Sequence, residues 1–277
     1  MNAAGVNSAG MNKAATACVD GLTAVLGELI TRQPEAVERA ATIFADTIGG
    51  GGVVHVYDTG HMLGHELVSR TGGLIGFTRL TFGGSVSAAG AAGRDAEPDP
   101  ATAAAATETL TGWVLDQRVL RDGDALLISS VSGVSTAVVA LATQASQRGI
   151  PVVAVTSVAF SSGLPPKHPS GRRLLDVADV VLDNLAPYGD AFLGVPSAPG
   201  AAGAAGAAGA PGAPGAAVRV VPVSGVAGAA LMWAVVAQTT AILCARDAEP
   251  SVYPSINLPD GPTRVAQAEA RYRELGR

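Results

Sequence analysis

Cysteine, aromatic residues and positive charge are all scarce in this sequence, and each scarcity excludes a class of protein. Only two of the 277 residues are cysteines, Cys18 and Cys244, and their separation matches no metal site or disulfide framework. Such cysteines are typical of buried, reduced thiols in a cytoplasmic protein. The formal net charge of −5 argues against broad nucleic-acid binding. The first residues lack the basic and apolar segments of a secretory signal, so we expect a cytoplasmic protein with no nucleic-acid partner.

Apolar residues are plentiful, at 48% of the chain, but only 4% of all residues are aromatic, so we expect an aliphatic core. Short apolar segments typical of buried strands alternate with segments of helical periodicity. The predicted strands are 53–57, 74–77, 125–129, 151–156 and 177–182, and the predicted helices are 14–31, 34–48, 62–70, 107–120, 136–148, 224–245 and 264–277. This alternation is typical of an α/β protein with a parallel sheet covered on both faces.

The chain is predicted to form one domain over residues 1–277. Residues 83–107 are loop-like, and residues 197–217 consist almost entirely of Ala, Gly and Pro. Because the second segment has no bulky side chains to bury, we interpret it as a flexible surface insertion before the helix at 224–245. The other predicted parts are N-terminal helices over 1–50, a core over 51–196 and 218–250, and a C-terminal tail over 251–277.

One segment is apolar enough to raise the question of a membrane span. Residues 226–245 carry no charge and are about long enough to span a bilayer. Gln238, Thr239 and Thr240 interrupt the segment, which is also rich in alanine. We therefore interpret it as a buried helix of a large α/β domain.

The most informative stretch is the serine loop, Ser130-Val131-Ser132-Gly133-Val134-Ser135, which joins a predicted strand to a predicted helix. Backbone N–H groups, serine hydroxyls and the helix dipole can together bind an anion at such a junction. The alternative interpretation is an ordinary Ser-rich helix cap. Because the loop contains no lysine, it is not a Walker-type nucleotide loop.

Two other predicted strands end in polar loops, at residues 58–61 and 156–162. The carboxyl ends of parallel strands meet at one edge of a sheet, where ligands of open α/β sheets bind. Three such loops at one edge predict a site for a small anionic ligand that is rich in hydroxyl groups.

These loops and several further motifs resemble one known family. Residues 53–73 resemble the first phosphosugar-binding segment of the SIS (sugar isomerase) domain family, and the serine loop resembles its phosphate loop. The closer resemblance is to the UPF0309-type proteins of that family. The motifs that carry it are Arg70-Thr71-Gly72-Gly73, Thr156-Ser157, His168-Pro169-Ser170-Gly171, Arg173-Leu174, residues 178–184, Gly189-Asp190-Ala191 and residues 224–228. Asp58 departs from the family pattern, which usually has glycine there.

The resemblance implies a three-layer α/β/α sandwich with a five-stranded parallel sheet in flavodoxin-like order. It also implies a homodimer with the ligand site near the subunit interface. The implied partner is a sugar phosphate, whose phosphate group would lie on Ser130, Ser132 and Ser135 around Gly133.

Conversion of a sugar phosphate begins when a base removes the proton next to the carbonyl group. Glu66 is the first candidate base, because it follows His61 by about one helical turn at the ligand edge; the alternative is an exposed helix glutamate. His61 would donate to a sugar oxygen or shuttle a proton, unless it caps the helix or lies at an interface. Glu108 is the alternative base, or a first-turn glutamate stabilised by the helix dipole.

The remaining candidate binding residues are Gly60, Thr156, Ser157, His168 and Asn184. His168 belongs to a basic cluster that either closes over the phosphate or is a solvated loop, and Asn184 binds sugar hydroxyls or forms a turn. His61 and His65 have the spacing of a metal pair, but no third ligand is evident. We therefore expect neither a metal ion nor a cofactor.

These observations predict an enzyme that acts on an amino-sugar 6-phosphate, such as N-acetylglucosamine 6-phosphate. Glu66 would remove the C2 proton, and the intermediate would then eliminate water. The alternatives are an aldose–ketose isomerase, a deaminase and a non-catalytic sugar-phosphate sensor.

Overall fold

The computed structural model describes residues 13–60, 63–83, 99–117, 119–196 and 217–277. Five strands form the central sheet: β1 (Val54–Asp58), β2 (Phe77–Arg79), β3 (Ala125–Ser129), β4 (Val152–Thr156) and β5 (Val180–Asp183). Their order is β2-β1-β3-β4-β5, and all neighbouring strands are parallel. This is the flavodoxin-like order, so the predicted sheet is confirmed.

Eight α-helices are found among the described residues. They are α1 (Lys13–Leu29), α2 (Pro34–Gly49), α3 (Leu63–Glu66), α4 (Pro100–Asp116), α5 (Thr136–Gln147), α6 (Val158–Ser162), α7 (Ser224–Ala245) and α8 (Gly261–Leu275). A 3₁₀ helix covers Leu174–Asp176, and an antiparallel hairpin pairs β6 (Ala191–Val195) with β7 (Val218–Pro222).

One face of the sheet is covered by α2 and α7, with α1 packed outside them. The side chains that fill this layer are almost all aliphatic, and Phe44 meets Phe77 edge to face with ring centroids 5.5 Å apart. The other face is covered by α4, α5 and the 3₁₀ helix, around Leu126, Ile128 and Leu141. The predicted three-layer sandwich is therefore confirmed, and β3 is buried on both faces, as its uniformly apolar sequence indicates.

Helix α7 is the segment that raised the question of a membrane span. By length and apolar composition, it is the one described helix that could cross a bilayer on its own. Its contacts lie mainly with α2, and eight of its residues are buried in the layer between α2 and the sheet. The interpretation of residues 224–245 as a core helix of the α/β domain agrees with this packing.

Two predicted helices differ most from the sequence-based expectation, and α6 lies within residues 156–162, which were predicted as a loop. Helix α3 ends at Glu66 instead of Arg70, because the backbone turns left-handed at Ser69, with a φ of 56°. Helix α4 begins at Pro100 instead of 107, because the carboxylate of Asp99 accepts hydrogen bonds from the backbone N–H groups of Ala101 and Thr102. The alanine-rich residues 100–106 are thus helical and were wrongly predicted as loop.

The β6–β7 hairpin was not predicted. Its two strands flank residues 197–216, which make up almost all of the predicted insertion and lie outside the described residues. The pairing of Val195 with Val218 brings the two ends of that segment side by side. The strands were missed because β7 borders the low-complexity segment and is largely exposed.

Gly52 lies where two backbones approach so closely that no side chain fits. A Cβ atom at this position would overlap the carbonyl oxygen of Gly123. We expect Gly52→Ala to lower the free energy of unfolding by about 1–3 kcal/mol, measured by urea denaturation. Gly27→Ala, in an open part of α1 where a Cβ meets nothing within 4 Å, is the control and should be neutral or stabilising. Equal effects of the two substitutions would contradict this account.

Candidate functional site

A cavity of about 480 Å³ lies at the carboxyl edge of the sheet. The loops after β1, β3 and β5 form one side of it, and the first turn of α7 forms the other. Its lining residues are Asp58, Gly60, Leu63, Ser129, Val131, Val155, Asn184, Asp190, Pro222, Ser224, Gly225 and Val226. Two residues predicted to bind ligand, Gly60 and Asn184, are therefore at this cavity, and the serine loop begins at its wall.

The serine loop is held from behind by two neighbouring segments. The N–H of Ser157 donates to the carbonyl of Val131 over 3.0 Å, and the N–H of Leu174 donates to the carbonyl of Gly133 over 2.8 Å. Gly133 has a φ of 59°, and a Cβ there would lie only 3.1 Å from the hydroxyl oxygen of Thr156. This position therefore requires glycine for both its conformation and its packing.

Hydroxyl groups at this edge fall into two sets. Those of Thr156 and Ser157 are fully buried and donate to the carbonyls of Val131 (3.1 Å) and Ala186 (2.6 Å). These two residues were predicted to contact ligand, but their hydroxyls already serve to hold the loops together. The sequence did not reveal this difference, because both sets are serine or threonine after a strand.

The second set of hydroxyls comprises Ser130, Ser132 and Ser135, which make no side-chain hydrogen bond to any described residue. The backbone N–H groups of residues 131–135 likewise donate to no described residue. Helix α5 begins directly after them, at Thr136, so its positive end points into the loop. Donors without a described partner at the start of a helix are an arrangement that can bind an anion.

Asp58 organises the loop after β1. Its two carboxylate oxygens accept hydrogen bonds from the N–H of Gly60 (2.9 Å) and the N–H of Gly64 (3.1 Å). The aspartate in place of the usual glycine thus fixes the turn that leads into α3. His61, a predicted catalytic residue, lies outside the described residues.

Glu66 ends α3, one turn after the cavity residue Leu63, and it does not itself line the cavity. Its Oε1 accepts a hydrogen bond from the indole N–H of Trp233 over 3.0 Å and pairs with Arg70 over 3.2 Å. Its Oε2 has no partner among the described residues, and a quarter of the side chain is exposed. The carboxylate is therefore oriented through one oxygen and free at the other.

Glu108 lies in the middle of α4, not in its first turn, because the helix begins seven residues earlier than predicted. One carboxylate oxygen lies 2.5 Å from Nε2 of His168, and the other accepts a hydrogen bond from the amide of Gln144 over 2.5 Å. The structure thus brings the alternative base together with a predicted phosphate ligand. Both oxygens of the carboxylate are occupied within the protein.

The imidazole of His168 is buried, and both of its ring nitrogens are engaged. Nε2 faces Glu108, while Nδ1 lies 2.8 Å from the hydroxyl and 3.1 Å from the N–H of Ser170. The N–H of the preceding Lys167 donates to the carbonyl of Val134, within the serine loop. His168 therefore anchors its loop between α4 and the serine loop, and it has no free nitrogen for a ligand.

Two cavity residues from the last loops have different roles. Asn184 is buried, and its Oδ1 accepts a hydrogen bond from the N–H of Ala186, while its Nδ2 donates to no described residue. Asp190 accepts hydrogen bonds from the N–H and the hydroxyl of Ser224, the first residue of α7. Its carboxylate therefore caps α7, a role that only the fold reveals.

Charged groups at the cavity are acidic. Asp58 and Asp190 line it, and no arginine or lysine in the described part of the chain does. Burial raises the pKa of Tyr57, which precedes Asp58, above its ordinary value of 10.0, so its phenol stays neutral near neutral pH. Among the described residues, no group of three or more His, Cys, Asp or Glu side chains could hold a metal ion.

Comparison with known proteins gives consistent matches. Residues 18–157 match the SIS domain family. A UPF0309 protein of Streptomyces coelicolor is 35% identical over 268 residues, which cover 95% of this chain and 96% of the relative. A UPF0309 protein of Streptomyces griseus is 30% identical over 260 residues, covering 92% and 93% of the two chains.

Among solved structures, the sugar isomerase domain of an RpiR transcription factor from Sphaerobacter thermophilus aligns with a TM-score of 0.40 at 19% identity. The alignment covers 95% of this chain and 97% of that one.

The Glu108–His168 pair should contribute to stability. Glu108→Ala leaves a buried imidazole without its partner, so we expect the free energy of unfolding to fall by about 1–3 kcal/mol and hydrogen exchange to accelerate in residues 163–173. Asp116→Ala, at the end of the same helix as Glu108, removes an exposed ion pair with Arg148, which follows α5; it is the control and should cost less than about 1 kcal/mol. Unchanged exchange in the loop would show that the pair does not anchor it.

Proposed function

Because the chain belongs to the SIS domain family, and within it to the UPF0309 proteins, we propose that it is an enzyme that converts a sugar phosphate. The substrate class we propose is an amino-sugar 6-phosphate, with N-acetylglucosamine 6-phosphate as the first candidate. The reaction we propose is removal of the C2 proton followed by elimination of water.

The single observation that carries the proposal is the unused set of donors in the serine loop. Three hydroxyls and five consecutive N–H groups have no described partner, although the neighbouring hydroxyls of Thr156 and Ser157 do. Phosphate offers several acceptor oxygens and negative charge, and both are favoured at the start of a helix. In the proposal the phosphate lies on Ser130, Ser132 and Ser135.

The sugar portion would then extend into the adjoining cavity. Its volume of about 480 Å³ is within the range of small-molecule sites. The free amide N–H of Asn184 and the exposed backbone at Gly60 offer hydrogen bonds to hydroxyl groups. The acidic side chains at the cavity disfavour a second phosphate there, which suits a monophosphate whose other end is neutral.

Glu66 remains the proposed base, because a base needs an oxygen that is free to accept a proton. Its Oε2 has no partner among the described residues, whereas both oxygens of Glu108 are occupied by His168 and Gln144. Trp233 and Arg70 hold the other oxygen of Glu66 and so fix the direction of the carboxylate. His61 is proposed to donate to the sugar carbonyl oxygen.

The proposed reaction has two steps. Glu66 takes the C2 proton of the open-chain sugar, and the electrons of that bond move to the C1 carbonyl and form an enolate. The C1 carbonyl is then restored, the electron pair of the C1–C2 double bond forms a C2–C3 double bond, and the C3–O bond breaks. The departing hydroxide takes the proton that Glu66 removed from C2 and leaves as water, which returns Glu66 to its carboxylate form. An N-acetylated C2 nitrogen does not readily form the imine that deamination requires, so elimination is favoured for that substrate.

We also propose that the protein is a cytoplasmic homodimer. Helix α1 buries only Leu29 completely and leaves Val19 and Leu26 exposed, at 62% and 38% of their surface, and Ile30, directly after the helix, is also 38% exposed. Apolar side chains along one exposed helix are typical of a subunit interface. The family resemblance implies a homodimer with the ligand site near the subunit interface.

Removal of the serine hydroxyls should weaken phosphate binding. We expect Ser132→Ala and Ser135→Ala each to weaken binding of N-acetylglucosamine 6-phosphate by about tenfold to a hundredfold, the effect of one hydrogen bond to a charged group. Isothermal titration calorimetry measures the affinity, and N-acetylglucosamine without phosphate serves as the reference ligand. Ser146→Ala, at the exposed C-terminal end of α5, is the control. An equal loss of affinity in that variant would contradict the assignment.

Replacement of the base should separate turnover from binding. Purified protein is incubated with a panel of sugar 6-phosphates, and mass spectrometry distinguishes loss of water, loss of ammonia and isomerisation. We expect loss of water, with kcat reduced by about 10²–10⁴ in Glu66→Gln and ligand affinity retained.

The comparison variant is Glu108→Gln, which keeps an acceptor for His168 and should retain most of its turnover. The reverse order of activities would assign the base to Glu108. A wild-type protein that binds these ligands without changing any of them would be a sensor.

A further inference from the structure

Asp58 places a carboxyl group at the wall of the carboxyl-edge cavity. It is the last residue of β1, it is half-buried, and it lines the cavity together with Gly60. In the parallel register its partner is Ser129, directly before the serine loop. An acidic side chain therefore lies next to the loop that is proposed to bind phosphate.

The hydrogen bonds of Asp58 stabilise its ionised form and fix its position. Oδ1 accepts from the N–H of Gly60 over 2.9 Å, and Oδ2 accepts from the N–H of Gly64 over 3.1 Å. Hydrogen bonds from N–H donors favour the charged form of a carboxyl group. Because both oxygens hold backbone groups of the loop, the carboxylate cannot turn away from the cavity without breaking these contacts.

No cation of the described chain lies between Asp58 and the cavity. Arg79 is nearby, but its guanidinium group lies across the backbone of Gly64 from Asp58 and donates to the carbonyl of Gly64. Arg79 does not line the cavity, and Asp58 forms no ion pair with any described residue. A ligand in the cavity therefore meets the carboxylate of Asp58 directly.

The charge of Asp190, the second carboxylate at the cavity, is partly offset. Asp190 accepts from the N–H (2.9 Å) and the hydroxyl (2.6 Å) of Ser224, at the positive end of the 22-residue helix α7. Asp58 has only α3 beside it, a helix of four residues with a correspondingly small dipole. Asp58 therefore contributes more to the negative potential of the cavity than Asp190.

Asn184 adds a neutral donor to the same cavity. The residue is 2% exposed and lines the cavity; its Oδ1 accepts from the N–H of Ala186 over 3.1 Å, and its Nδ2 donates to no described residue. Buried polar groups are nearly always paired, so this amide indicates a contact with a ligand. An amide donor and a carboxylate acceptor together match a hydroxyl group, which both donates and accepts.

We propose that Asp58 determines the charge of the substrate, so that the part of the sugar beyond the phosphate must be neutral or positively charged. This inference rests on the proposed function, because it requires the phosphate to lie on the serine loop. Hydroxyl and amino groups can donate to Asp58, whereas a carboxylate or second phosphate at this end of the ligand is repelled by it. Sugar acids and sugar bisphosphates are thereby excluded as substrates.

Three open-chain ligands that differ only at C1 test the proposal: sorbitol 6-phosphate, 6-phosphogluconate and 1-amino-1-deoxysorbitol 6-phosphate. Because none has an aldehyde or ketone from which the proposed reaction could start, calorimetry measures binding alone. We expect 6-phosphogluconate to bind at least about tenfold more weakly than the other two. Equal affinities, or weak binding of the amine as well as the acid, would overturn the proposal, since the second result would indicate selection by size.

Two variants remove the charge of Asp58 in different ways. Asp58→Asn keeps the size of the side chain, and Asp58→Gly introduces the residue that is usual there in the family. In both we expect the preference for sorbitol 6-phosphate over 6-phosphogluconate to fall to about threefold or less. Asp183→Asn is the matched control, because Asp183 also ends a strand and accepts two backbone N–H groups but does not line the cavity. A preference that persists in both Asp58 variants, or that is lost equally in Asp183→Asn, would overturn the proposal.

The assay of N-acetylglucosamine 6-phosphate turnover tests the proposed reaction separately. A protein that converts no sugar phosphate, but rejects 6-phosphogluconate through Asp58, would contradict the proposed reaction and support the role of Asp58. Turnover with an unchanged ligand preference in the Asp58 variants would contradict only the role of Asp58. A protein that binds none of the three ligands would overturn both proposals.

Discussion

The parallel register of β1, β3, β4 and β5 is the constraint on which the rest of the structure depends. It pairs Asp58 with Ser129 and Thr156 with Asp183 at the last positions of the strands. Every loop that follows these residues must therefore leave the sheet at the same edge. The serine loop owes its position to this register and its shape to Gly133, whose carbonyl is held by Leu174. A hydroxyl-rich sequence without this framework would be only a helix cap.

The structure uses its polar groups differently at the two edges of the sheet. At the carboxyl edge, the hydroxyls of Thr156 and Ser157 hold neighbouring loops, and Asp58 holds its own loop. The donors of the serine loop, in contrast, have no partner among the described residues. At the amino edge, Asp124 accepts hydrogen bonds from the N–H groups of Val53 and Arg121, and its carboxylate lies 3.1 Å from Nε2 of His55. The polar groups at the amino edge thus hold the segments before β1 and β3 together, whereas the donors of the serine loop at the carboxyl edge have no partner among the described residues. The apolar strands between the edges separate the two sets of groups.

The sequence predicted features that depend on local pattern, and it failed where distant residues meet. The bounds of α7 agree with the predicted 224–245, because a long, uncharged and largely apolar segment determines them. Helix α4 was predicted to begin seven residues too late, because its first turns are alanine and threonine without an apolar stripe. The Glu108–His168 contact joins residues 60 positions apart, and nothing in either local sequence indicates the other. The division of hydroxyls into supporting and free groups likewise depends on tertiary contacts that periodicity does not encode.

The cap that Asp190 forms on α7 makes the two helix starts at the carboxyl edge electrostatically different. Two long helices, α5 and α7, begin at this edge, and each has a positive end. The carboxylate of Asp190 already occupies the positive end of α7, whereas that of α5 is open. In the proposed mode of binding, a ligand with a single anionic group would therefore lie with its charge at α5 and its uncharged end towards α7. One aspartate would in this way distinguish the two ends of the proposed substrate.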